Sequence, residues 1–146
     1  MDNEELFLML EECVGHASSQ LTSGQNLESF AMVLESSKDT RHISTDEMDA
    51  HTRYEVLLDI LRSEVKTKDL LAVALLSNVT IPENFNSDVS TGIRIHIEEK
   101  NFQADNKLSA RLLYVPYQLF NTTADETIQI KLHNPIPVGL PCEIFV

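Results

Sequence analysis

The chain has 146 residues, 42% of them hydrophobic and 23% charged, which is the composition of a folded globular domain and not of a disordered segment. Its 23 Asp and Glu against 11 Lys and Arg leave a net charge of -12. That balance argues against nucleic acid and anionic membrane as partners, because both are bound through Lys and Arg that neutralise phosphates.

The acid is uneven. Residues 1–64 hold 14 acidic against 4 basic residues, a sum of -10, and residues 65–146 hold 9 against 7, a sum of -2. A chain of this length buries roughly 70% of its unfolded surface and forms one ordinary core, so a single domain over residues 1–146 is expected. Two cysteines, Cys13 and Cys142, stand at opposite ends without CxxC or Cys/His spacing, so neither a disulfide framework nor a metal centre is signalled. Acid in the opening "MDNEEL", where a secretion signal needs a basic region, makes a cytoplasmic location the expectation. The sequons at Asn78 and Asn121 then carry no glycan.

Leu6, Met9/Leu10, Cys13/Val14, Ala17 and Leu21 recur at helical spacing, predicting a first helix over 3–21 with Asn3 as its N-cap. Within it, "LFLML" places five apolar residues in succession, more than one helix face buries. Phe7 or Leu8 should therefore point away from the sheet, where a deeply packed helix, a partner or a second copy would cover it. Gly24 ends the helix. "LESFAMVLES" predicts a strand near 28–36, and "RHIST" a short one near 41–45.

Ser44 and Glu47 form a capping-box pattern ahead of Tyr54, Leu57/Leu58, Leu61 and Val65, which predicts a second helix over 46–66. "DLLAVALLSNVTIP" has the continuous apolar character of a central strand buried on both faces. The ten residues 83–92 form a loop long enough to serve a function. Strands follow near 92–99, 108–119 and 126–133, with Pro116 demanding a bulge or an edge. The tail "NPIPVGLPCEIFV" should run extended to a last short strand near 143–146.

The order α-β-β-α-β-β-β-β with short connections implies an α+β domain of two layers: an antiparallel sheet of five or six strands with both helices on one face. That order of elements resembles the roadblock, longin and profilin scaffolds. The resemblance implies a fold and carries no function, since no family motif accompanies it.

Ile93, Ile95 and Ile97 alternate with Arg94, His96 and Glu98, so one strand face is an isoleucine stripe and the other a row of cation, imidazole and carboxylate. Antiparallel neighbours would add Arg111, Gln129, Lys131 and His133 to that row. Two readings compete. His96 could act as base or ligand with Glu98 orienting it. The expected reading is a solvated or interface face, because i and i+2 side chains lie side by side and an open sheet excludes no water. Cys13, among apolar helix positions, reads as a core thiol. Its spacing to His16 allows a nucleophile pair but brings no oxyanion hole. The sequence has no P-loop, GxGxxG, GxSxG or HExxH, and only four glycines.

The expected function is a small, acidic, non-enzymatic protein-interaction module, regulatory or inhibitor- or immunity-like, whose partner is a basic protein. It needs no cofactor or metal. The alternatives are a small-ligand binder or enzyme using Arg94, His96, Glu98 and the 83–92 loop, and a structural homodimer through Phe7 and Leu8.

Overall fold

The computed structural model describes residues 3–87, 89–100, 110–121, 127–140 and 144. In chain order the elements are α1 (Asn3–Thr22), β1 (Phe30–Glu35), β2 (Thr40–Ile43), α2 (Ala50–Thr67), β3 (Leu70–Thr80), β4 (Thr91–Glu99), β5 (Ala110–Asn121), β6 (Ile128–Leu132) and β7 (Ile136–Leu140). One 3-10 turn, Glu83–Phe85, lies in the loop after β3. The α+β class, the element order and the antiparallel sheet are those expected.

The sheet runs β2-β1-β3-β4-β5, and the outer edge of β5 is shared by two short strands. β7 pairs with Ala110–Tyr114, and β6 pairs with Tyr117–Asn121. This division is why seven strands form where five or six were expected. It also solves the Pro116 problem. The carbonyl of Pro116 accepts the His133 N–H at 2.8 Å, so its missing donor faces the same edge, at the gap where β6 stops and β7 has not begun. On the other side Pro116 stands opposite Gly92, where a Cβ would lie 2.7 Å from the Ile81 side chain, so the close approach requires glycine.

β3 is the central strand, as its apolar run predicted, and its parity divides the core. Ala72, Ala74 and Leu76 join Phe30, Met32 and Leu34 of β1 and Ile93, Ile95 and Ile97 of β4 beneath Leu6, Met9, Cys13, Ala17 and Leu21 of α1. Val73 and Leu75 join Ala31 and Val33 beneath Leu57, Leu58 and Leu61 of α2. Successive residues of a strand point to opposite faces, so α1 and α2 lie on opposite faces of the sheet. The placement of both helices on one face is corrected accordingly: β1 and β3 are apolar at even and odd positions alike, and each face needs its own cover.

α2 starts at Ala50 and not at 46. Asp49 caps it, accepting the Thr52 N–H at 2.9 Å, while the Ser44/Glu47 pattern remains in the preceding loop. Arg53, 7% exposed, holds that loop open. Its guanidinium donates to the carbonyls of Ser29 (2.6 Å), Thr45 and Glu47 (3.2 Å) and lies 3.7 Å from the Glu28 carboxylate. The last strand is found at Ile136–Leu140; of the 143–146 stretch where it was expected, only Ile144 is described.

Candidate functional site

The row Arg94, His96, Glu98 is not an open wet face. His96 is 1% exposed and Glu98 0%. The imidazole Nε2 stands 2.5 Å from Glu98 Oε2, and the Ile144 N–H donates to both Glu98 oxygens, at 2.9 and 3.1 Å. The reason is long-range. Ile144 and α2 belong to the same cluster on this face, so Ile144 adds to the cover that α2 provides. Arg94 turns the other way, donating to the Tyr54 hydroxyl of α2 at 2.9 Å with its guanidinium over the ring. The three residues do not converge on a common point. Glu98 is a buried acceptor that holds His96 and Ile144, and none of the described cavities is lined by any of the three. Arg111 pairs with Ile97 in register and so belongs to the opposite face from Arg94.

Lys131 and His133 are elsewhere. They line an open cleft of about 390 Å³ with Phe85, Asn86 and Ser87 of the 83–92 loop. The loop therefore meets these two residues and not Arg94, His96 and Glu98, the three with which the ligand-binding alternative had combined it. Asn86 takes the left-handed conformation (φ 52) that turns the loop into this cleft.

Phe7 and Leu8 are 63% and 54% exposed, as the crowding of "LFLML" demanded. Phe7 borders an apolar groove of about 560 Å³ running along α1, with Leu10 and Val14 on one wall and Leu113, Val115 and Leu132 on the other. Leu132, 42% exposed, faces α1 because it pairs with Tyr117, a member of the α1 core. Sequence reading found Phe7 but not this second wall, since β6 reaches α1 only through the sheet order. α1 carries Glu4, Glu5, Glu11 and Glu12 and no Lys or Arg, and Glu11 lines the groove.

Cys13 is a core thiol as predicted, with burial and then Glu12 pushing it up to about 12, so it is unreactive at neutral pH. Among the described residues no group of three or more His, Cys, Asp or Glu is placed to hold a metal, and no helix is long and apolar enough to cross a membrane. His16 of α1, Phe30 and His42 of β2 stack with ring centroids 4.4 to 5.0 Å apart. Burial, then the neighbouring His16 and Arg53, holds His42 below the ordinary histidine range. The unfolded chain therefore takes up this proton more readily than the folded one. The stability that neutral His42 contributes is present above about pH 6.5 and is lost as pH falls through the lowered value. The fall in unfolding free energy between about pH 7 and about pH 5 should accordingly be shallower in His42→Gln than in the wild type. Chemical denaturation at each pH measures it; parallel profiles would show that His42 is not the group responsible.

No family model matches the chain, and neither a curated protein nor a solved structure matches it significantly. The likeness to roadblock, longin and profilin scaffolds thus remains one of element order.

Proposed function

We propose that the chain is a non-enzymatic protein-interaction module that works as one cytoplasmic domain and holds an apolar, basic segment of a partner protein along α1. The observation that carries the reading is the groove between α1 and β6: about 560 Å³, bounded by exposed Phe7 and Leu132, and walled by a helix with four acids and no Lys or Arg. Its wall residues Phe7, Leu10, Val14 and Ser18 span about three helical turns, the length over which an amphipathic helix presents i, i+3/i+4 and i+7 anchors. Opposite charge at the rim steers such a partner and fixes its register. A second copy of the chain suits the groove less, because an isologous contact would set acidic α1 against itself. A regulatory, inhibitor or immunity-like role is compatible with this mode of binding.

Fluorescence anisotropy with amphipathic helical peptides, identical on the apolar face and carrying either Lys or Glu on the polar one, tests the proposal. The Lys peptides should bind, and added salt should weaken them. Phe7→Ser should cost about tenfold or more in affinity, as loss of an aromatic anchor does. Glu and Lys peptides binding alike, or Phe7→Ser binding as well as wild type, would refute the reading. A Phe7→Ser variant that changes a dimer into a monomer in sedimentation would transfer the groove to a second copy.

A further inference from the structure

The cleft at the break between β6 and β7 is built differently from the groove, and it makes a second site. Three irregularities meet there, each with its own cause: Pro116 has no N–H to give the edge, the edge strand is interrupted at 133–135, and Asn86 turns the 83–92 loop back over the gap. Such a break leaves polar groups that no ladder satisfies. Ser87 Oγ is buried and has no hydrogen-bond partner among the described residues. Beside it in the lining stand the Lys131 ammonium, the His133 imidazole and the Asn134 amide. His133 is oriented by Gln118, whose Oε1 lies 3.1 Å from its Nε2.

The charge of this lining is the opposite of the chain's. In a protein with 23 acidic residues, none of the described residues that line the cleft is acidic, and they include a cation and an imidazole. Its apolar part, Phe85, Pro116 and Ile136, gives a flat body somewhere to lie, and Phe85 is held in place by its contact with Tyr114 at 5.4 Å between ring centroids. One ammonium suits one negative charge. Polyanions would need several cations and would meet the field of a -12 chain.

From these features we infer that the cleft binds a small organic carboxylate with a flat apolar body. Its carboxylate accepts from the Lys131 ammonium and the Asn134 amide at the polar end, and its body lies against Phe85 and Pro116. The inference does not depend on the groove along α1: the two share only Leu132, and none of the polar groups of the cleft lines the groove.

Benzoate, with benzamide as its neutral isostere and inorganic phosphate as the competing anion, tests it on the whole chain at constant ionic strength. In a titration followed through backbone amide resonances, benzoate should give saturable shifts centred on Ser87, His133 and Asn134, with a dissociation constant of about 1 mM or below. Lys131→Met should weaken it about tenfold or more, as loss of a charge-assisted contact does, while Lys66→Met on α2 should leave it unchanged. Benzamide binding equally well, phosphate binding more tightly, or benzoate shifts that fail to saturate or survive Lys131→Met would each overturn the assignment.

Discussion

Glu98→Ala should lower the unfolding free energy by about 3 to 5 kcal/mol, because two buried hydrogen-bonding groups are left without their partner at about 1 to 3 kcal/mol each and a cavity is added. The cost has two parts. His96 loses its partner at 2.5 Å, and the Ile144 N–H loses both of the oxygens it donates to. With His96 at 1% and Glu98 at 0% exposure, water does not replace the lost carboxylate, so these groups pay the desolvation penalty of unsatisfied polar atoms. The substitution also leaves a void where the carboxylate was. Glu98→Gln should be milder, about 1 to 2 kcal/mol, because an amide keeps the volume and one acceptor for Ile144. Urea denaturation gives both values. Hydrogen exchange at the Ile144 amide gives an independent reading: in Glu98→Ala its protection should fall far more than that of the β3 amides. A Glu98→Ala protein within about 1 kcal/mol of wild type, with Ile144 still protected, would mean that Ile144 is held by apolar packing alone.

Arg53→Met should be the second large loss, about 3 kcal/mol, or a fall in Tm of about 10 °C for a chain of this size. Methionine keeps most of the aliphatic stem, so the loss isolates the guanidinium. Three carbonyls, of Ser29, Thr45 and Glu47, lose their donor at once. They belong to the approach to β1 and to the loop between β2 and α2, so the substitution should loosen both segments together. Arg53→Lys should not rescue it. A single ammonium cannot reproduce the planar fork that reaches carbonyls on two separate segments. Full recovery of Tm by lysine would show that the charge near Glu28, 3.7 Å away, matters more than the geometry.

Neither residue stood out in the sequence for these roles. Arg53 read as one polar position within an amphipathic helix, and only the folded loop around it reveals three carbonyls within reach. His96 and Glu98 were legible as a pair on one strand face, and their placement in β4 was right. Their burial was not legible, because it is produced by α2 and by Ile144, a residue 46 positions further on. The same holds for Lys131 and His133, whose side of the sheet was readable from alternation, whereas their meeting with Ser87 required the edge strand to break opposite Pro116. The capping box failed for a local reason: Asp49 with Thr52 offered a competing cap closer to the apolar run, and Arg53 held the earlier residues out of the helix.

The elements and the distribution of charge are local properties, readable along the chain. Periods of 3.6 and 2 are imposed by the backbone geometry of helix and strand, so Leu6 to Leu21, Leu57 to Val65 and the alternation from Ile93 to Ile97 announce their elements without outside help. The exposure of Phe7 and Leu8 follows in the same way, from five apolar residues on a helix with room for fewer. Which face each element covers depends instead on contacts between distant parts of the chain. β1 and β3 are apolar on both sides, and nothing local says which helix takes which side. Long-range packing makes that choice, and with it α2 and Ile144 bury His96 and Glu98, α1 and β6 build the groove, and the break between β6 and β7 opens the cleft beside Lys131.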